Sequence, residues 1–555
     1  MKIALLTTPP SHHSGIADYS RHLLPYLMER ADVQPYAPDA LLDPEGEELL
    51  GREVRPVSAL EGGDHDRLLY QLGNETAHAY MPALIAKHGG VVVQHDWVLF
   101  DLALSAWPGL ARGGVKGAAL AAREGDLSQL RRYLAAFAAR RRAYRQPLAP
   151  IDPAAHLGPL IAGWHAAEDH GRWIADYAAF RLPQAATKIR LACNAPVGRT
   201  LTLRRGARAL DSHKTHAGQP WEVFELDIDP GDEPFTLSVS PVTVTAEQRR
   251  HGDARRLGAF VESIHWWDAE GEHELDLAQA PELPIRPRSL SDARFELPFN
   301  SSIVGQAEGF IVHSEYLAGR IRAARGQEVP LAIVPHGAER RWTEEPRADV
   351  RRDAGLPESW GDAFLVTSFG GVQAHKRIDK ALAALARARR ERPDIRMVLA
   401  GKVSAEGFDA RDVAQRLGLS DAVHFTGFVS EQLAWRLLHA GDLSLNLRGP
   451  TSGGTSGGIF QAFGLGRPVI ASDAAEQSEL PDQCTVKVPL GEGEVDAVAK
   501  ALVDLRDDPQ RLAALSQGAR DYVNSTCHWS HCADGYVALL ERAPARTSGL
   551  ATAGR

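Results

Sequence analysis

Two strand-like apolar runs, at 363–367 and 443–447, each end in a glycine-rich loop that leads into a helical pattern. The first loop reads Ser368-Phe-Gly-Gly-Val-Gln-Ala-His-Lys376-Arg377, the second Arg448-Gly-Pro-Thr-Ser-Gly-Gly-Thr-Ser-Gly-Gly458. Strand, tight turn and helix in that order build a parallel sheet, and open α/β sheets bind ligands at the strand-to-helix edge. Glycines there let backbone N–H groups approach an oxyanion, and the next helix's N-terminus adds partial positive charge. One loop supplies a fixed cation and the other a row of amides, a combination that suits a pyrophosphate. A lone glycine-rich loop is more often a plain turn, so the surrounding order of elements matters.

That order is specific. After the first loop come Met397-Val-Leu-Ala-Gly401, Val423-His-Phe-Thr-Gly-Phe428 and Ala440-Gly-Asp442, and after the second a helix and Gly466-Arg-Pro-Val-Ile-Ala-Ser-Asp473. The N-terminus offers a strand, Lys2-Ile-Ala-Leu-Leu-Thr7, then Pro9-Pro-Ser-His-His-Ser-Gly15 and an amphipathic helix over 19–29. Two further strands end in polar residues, Leu68-Leu-Tyr-Gln-Leu-Gly73-Asn74 and Gly90-Val-Val-Val-Gln-His95-Asp96. Gly309-Phe-Ile-Val-His-Ser314 and Ile333-Val-Pro-His336-Gly337 precede the expected hinge. Together these segments resemble a retaining glycosyltransferase of family 4, with the GT-B fold.

The resemblance implies roles residue by residue. Lys376 contacts the donor diphosphate, with Arg377 or Arg448 as the second charge. Gly370 and the amides of Thr455, Ser456 and Gly457 approach the phosphates, and Gly15 lets the N-terminal loop close over them. His95 and Asn74 orient the transferred sugar or the acceptor. A histidine ending a buried strand is otherwise more often a hydrogen-bonded core residue. Family 4 enzymes usually carry an E-x₇-E pair across the phosphate loop and the next helix. Here those positions are Gly453 and Gln461; Gln461 can still hydrogen-bond a ribose hydroxyl, whereas Gly453 offers only backbone. The arginine often found five residues before the lysine is also absent, since Gly371 stands there.

A chain of 555 residues with a net charge of −9 is long enough for several domains and lacks the basic footprint of a general nucleic-acid binder. The first apolar run ends in Pro-Pro, so no secretory leader is expected. Four cysteines make no disulfide framework and suit a reducing cytoplasm. Cys527-His-Trp-Ser-His-Cys532 crowds its candidate ligands into one helical stretch, which favours packing around Trp529 over a zinc site.

Between 185 and 287 short alternating stretches separated by turn signals suggest a β-sandwich inserted into the first Rossmann-like domain. Segments before it, including 165–180, read as helical. Trp266 and Trp267 are core residues or, alternatively, a sugar-stacking platform. The stretch 126–144 places Leu127, Leu130, Leu134 and Phe137 at helical spacing among Arg131, Arg132, Arg140, Arg141, Arg142 and Arg145. It reads first as a solvated face packed on the core, and second as a basic amphipathic helix on an anionic membrane surface.

The expected architecture is therefore α/β, GT-B: a first Rossmann-like acceptor domain at 1–184 and 293–337, with the sandwich at 185–292. The nucleotide-sugar domain occupies 338–525, a helix at 526–543 crosses back, and 544–555 is a disordered tail. The implied reaction moves a hexose from a GDP- or UDP-sugar to a glycan or lipid-linked acceptor with retention, in surface polysaccharide biosynthesis. It needs neither metal nor other cofactor and is expected in the cytoplasm, with the inner face of the membrane as the second reading. A degenerate glycan-binding or scaffold subunit is the rival reading.

Overall fold

The computed structural model describes residues 1–12, 14–143, 159–168, 171–206, 208–216, 221–231, 233–242, 257–277, 290–403, 410–491 and 493–544. The chain divides into two compact units, one of residues 1–134, 290–403 and 413–555, the other of 135–289 with 404–412.

The first unit holds two parallel sheets, the two Rossmann-like halves of a GT-B fold. In the N-terminal sheet Lys2–Leu6 lies between Asp32–Ala37 and Arg67–Leu72, and beyond the latter come Val91–Gln94, Gly309–Val312 and Leu331–Ile333. Period-2 alternation splits its core. Ile3 and Leu5 face one apolar cluster, while Ala4 and Leu6 face the other. The helix Gly15–Met28, capped by the Ser14 hydroxyl accepting from the Ala17 N–H, packs on the first face. The last helix, Trp529–Arg542, packs there too, with the Tyr19 and Tyr536 hydroxyls 2.8 Å apart.

In the C-terminal sheet the order is Val423–Gly427, Ile395–Ala400, Phe364–Phe369, Leu443–Asn446, Val469–Ser472, Thr485–Val488, every pair parallel. Strand order reverses beside Phe364–Phe369, so the crevice opens between the ends of that strand and Leu443–Asn446. Both glycine-rich loops begin at this switch point. Cys527 and Cys532 are buried thiols at the last helix, and the Cys532 Sγ–H donates to the Pro335 carbonyl.

The described residues of the second unit form a nine-stranded antiparallel sheet on one apolar core that includes Ile174, Phe180, Leu191, Phe224 and Leu237. Its strands begin upstream of the expected boundary. The stretch 165–180 is not helical but forms the pair Leu160–Glu168 and Gly171–Phe180. Its alanines favour helix intrinsically, yet burying Ile174, Ala178 and Phe180 on one face requires period 2. Gly171 at φ +149° lies so close to Val261 that a Cβ would strike its carbonyl oxygen. Trp266 packs against this core and stacks on His273 at 4.1 Å, whereas Trp267 lies under the Lys188 ammonium.

In the helix Leu127–Ala143, among the described side chains, Tyr133 and Ala136 are buried and Leu130 and Phe137 half-buried, while Leu127 and Leu134 are exposed, so the expected face packs only in part. The side chains of Arg140, Arg141 and Arg142, Arg145, and the tail beyond Pro544 lie outside the described residues, as do 243–256 of the expected insert. Among the described residues no helix is long and apolar enough to cross a membrane.

Candidate active site

The first loop leaves its strand at Gly370, whose φ of +105° turns the chain under the Lys376 ammonium. A short turn, Ala374–Lys376, then delivers the lysine ahead of the helix Ile378–Glu391. Lys376 forms no ion pair among the described residues. Burial first, and the neighbouring Arg448 cation second, push its ammonium down to about 7. Such a group is charged only at a cost unless an anion arrives.

The second loop is tied to the first by the Gly449 N–H, which donates to the His375 carbonyl at 2.9 Å. Arg448 is braced at both ends: its N–H donates to Ser472 Oγ at 3.0 Å and its Nη1 to the Gly454 carbonyl at 3.0 Å. Its Nε is buried without a partner among the described residues. Ser456 stands at the N-cap position of the helix Gly457–Gly464 without a side-chain cap, its hydroxyl accepting instead from Asn446 Nδ2 at 3.1 Å. The amides of Thr455, Ser456 and Gly457 have no acceptor among the described residues, as expected of a helix N-terminus awaiting an anion. Gln461 follows on this helix with its buried Oε1 unpartnered. Unsatisfied buried polar atoms are uncommon and costly, and here Arg448, Gln461 and Glu476 each contribute one around a single crevice.

Arg377 does not join them. It sits at φ +51°, and its guanidinium forks onto the carboxylate of Glu494, a side chain with no exposed surface. Arg377 thus anchors the helix Glu494–Asp507, and Arg448 is the second cation of the crevice. The partner Glu494 is far away in sequence, so nothing adjacent to the lysine announced the pair.

In the N-terminal half, the two residues expected at the sugar both make contacts within the fold. Asn74 spends its side chain on a helix start: Oδ1 accepts from the Asp101 N–H at 2.7 Å, and Nδ2 donates to the Asp101 carboxylate at 2.9 Å. His95 has both ring nitrogens engaged, Nδ1 with His313 Nε2 at 3.0 Å and Nε2 with the Gln71 amide at 2.8 Å. The protons can be placed. His313 Nδ1 faces only the Val334 carbonyl at 2.8 Å and must donate, so His313 Nε2 accepts from His95 Nδ1–H. His95 Nε2 is then a lone pair, and Gln71 must turn its NH₂ toward it, which also satisfies an otherwise unpartnered Gln71 Nε2. Burial holds His95 well below its ordinary value and takes His313 to about 4 and His336 to about 3. The three rings are neutral framework. Gly15 opens the helix Gly15–Met28 with free space around its Cα, so it leaves room for a ligand at that N-terminus.

The two halves meet through the phosphate loop. Ser452 Oγ donates to Asp96 Oδ1 at 2.6 Å, and the Trp97 and Val98 N–H groups both donate to the Ser452 carbonyl at 2.9 Å. Glu479 accepts from the Glu315 and Tyr316 N–H groups at the start of the helix Glu315–Arg325. Asp96 entered the sequence reasoning only as the polar residue after His95 at a strand end, and Glu476 was not assigned at all. The available signal was position, since each follows a strand at the ligand-binding edge of its sheet.

Comparison with known proteins adds four findings. A lipopolysaccharide core biosynthesis glycosyltransferase, LpsD of Rhizobium meliloti, is 30% identical over 201 residues, covering 36% of this chain and 54% of that protein. A GDP-mannose-dependent alpha-(1-6)-phosphatidylinositol monomannoside mannosyltransferase of Mycolicibacterium smegmatis is 27% identical over 228 residues, 39% of this chain and 57% of that one. The chain thus spans little more than half the length of these relatives. Among solved structures, HepE of Anabaena in complex with UDP is 19% identical with a TM-score of 0.40, covering 46% of this chain and 70% of that one. Residues 363–508, which carry Lys376, Arg448 and the whole phosphate loop, match the family described as Glycosyl transferases group 1.

Proposed function

We propose that the protein is a retaining hexosyltransferase using a nucleoside diphosphate sugar, with a glycan or lipid-linked acceptor destined for a surface polysaccharide or glycolipid. The observation that carries this reading is the pair Lys376 and Arg448, two cations at the switch point that form no ion pair among the described residues. When the anomeric bond breaks, charge develops on the departing diphosphate. Fixed cations and oriented amides stabilise it without reorganising. The acceptor hydroxyl attacks the anomeric carbon on the face the diphosphate leaves, and the departing phosphate oxygen takes its proton. No protein nucleophile is required.

A glycan-binding protein without turnover is the second reading, favoured by the missing acid at Gly453. Close docking of the opposite half accounts for that glycine without loss of activity. A Cβ at Gly453, where φ is +80°, would lie 2.9 Å from Trp97 Cβ, and one at Gly454 would overlap Asp96 Oδ1. The exposed Leu127 and Leu134, set among Arg131 and Arg132, support contact with an anionic membrane that presents the acceptor. Co-sedimentation with anionic vesicles tests this, and Leu127→Glu with Leu134→Glu should abolish it. For the main reading, the protein is screened against UDP- and GDP-sugars for thermal stabilisation, GDP-mannose first. The hit is then assayed for transfer, and the anomeric configuration of the product is read by NMR.

A further inference from the structure

The phosphate loop cannot hold an acid of its own at Gly453 or Gly454, because Trp97 and Asp96 occupy the space a side chain would need. A carboxylate nevertheless reaches the same place from the neighbouring strand. Glu476 lies in the turn Ala475–Glu479, just past Val469–Ser472, and is 5% exposed. Its Oε1 accepts from the Thr451 hydroxyl at 2.7 Å, and Thr451 Oγ1 in turn accepts from the Gly453 N–H at 2.9 Å. The carboxylate is thereby fixed to the loop position where the acid is missing. Its other oxygen, Oε2, is buried and has no hydrogen-bond partner among the described residues.

We propose that Glu476 binds the transferred sugar, its free Oε2 accepting a hydrogen bond from a hydroxyl of the hexose held beside the diphosphate. This rests on the glycosyl-transfer reading above and names a sugar contact within it. The chemistry selects the ligand atom. A carboxylate repels phosphate oxygens, so Glu476 faces the part of the donor that carries hydrogen-bond donors. Burial holds the Glu476 carboxyl above its ordinary value, with Asp96 adding to the rise, while the Thr451 hydroxyl, its own backbone N–H and the Arg448 cation favour the charged form. A hydroxyl delivered to Oε2 satisfies the orphan acceptor and keeps the group ionised. Thr451 makes Glu476 sensitive to the position of the loop, so the sugar contact forms only when the loop is seated.

The test compares Glu476→Gln with the wild type by calorimetric titration of UDP, GDP and the matching nucleotide hexoses. Glutamine keeps an acceptor for Thr451 and turns an NH₂ toward the hexose. The free nucleoside diphosphates should bind both proteins equally. The ratio of nucleotide-sugar to nucleoside diphosphate Kd should rise about tenfold or more in the variant, the size expected for a lost hydrogen bond to a charged group. On the wild type alone, donors lacking single hexose hydroxyls should reproduce the loss at one hydroxyl, and Glu476→Gln should be indifferent to that deletion. Equal weakening of both ligand classes would assign Glu476 a purely structural role and overturn the proposal. So would an unchanged ratio, or a wild type insensitive to every hydroxyl deletion. Failure of the wild type to bind any nucleoside diphosphate would remove the underlying glycosyl-transfer reading instead.

Discussion

Replacing Lys376 by methionine should stabilise the ligand-free protein while destroying its diphosphate site. The ammonium is pushed from an ordinary 10.5 down to about 7. At about 1.4 kcal/mol per pH unit, keeping it charged in the fold costs up to roughly 5 kcal/mol. Solvent reaching the crevice screens part of this, and a gain of about 1–2 kcal/mol is expected from methionine, which fills the same channel without charge. The sign follows from the folded value lying below the unfolded one. Between pH 7 and 10.5 the unfolded chain holds more protons, so wild-type stability rises with pH across that window. Below pH 7 the penalty is present in full. The advantage of Lys376→Met is therefore largest at pH 6–7 and fades toward pH 10. Melting curves from pH 6 to 10, with and without UDP or GDP, read both effects. In the wild type, diphosphate binding draws a proton onto Lys376, so Kd should rise as pH climbs from 7 to 9. The variant should bind at least about a hundredfold more weakly and lose that slope. A variant that is less stable at pH 6.5, or that keeps wild-type affinity, would refute the assignment of Lys376 as an uncompensated cation.

Arg377→Ala should behave in the opposite way. Stranding the buried Glu494 carboxylate costs about 3–5 kcal/mol, so its melting temperature falls while correctly folded material retains diphosphate affinity. Loss of affinity at unchanged stability would return Arg377 to the donor site. Gly454→Val should part the phosphate loop from the Asp96 loop and abolish transfer, since even its Cβ overlaps Asp96 Oδ1. A fully active variant would show that the two loops need not meet.

The C-terminal half was legible because its signals are local. Apolar runs followed by glycine loops placed the strands Phe364–Phe369 and Leu443–Asn446 within a few residues, and the topology set both loops at one crevice. Side-chain roles that depend on distant partners were not. Arg377 looks like a phosphate ligand until Glu494 folds against it, and Asn74 looks like a sugar contact until the helix Phe100–Ala106 claims its amide. His95 ends a buried strand, and the partners that engage both its ring nitrogens, His313 and Gln71, are distant in sequence. The stretch 165–180 failed for a different reason: its alanine content carries a helix signal that cross-strand burial overrides. Glu476 had no motif of its own, and only the folded loop shows Glu476 and Asp96 bonded to its neighbouring residues Thr451 and Ser452.

The most direct measurement is transfer itself. Purified protein is incubated with the nucleotide sugar that stabilises it most and with a glycan or lipid-linked acceptor, and the product's anomeric proton is followed by NMR from the earliest time points. The account predicts a glycosylated product with the donor's anomeric configuration, release of nucleoside diphosphate in equal amount, and loss of both in Lys376→Met. Tight glycan binding with neither transfer nor hydrolysis of any UDP- or GDP-hexose would contradict it.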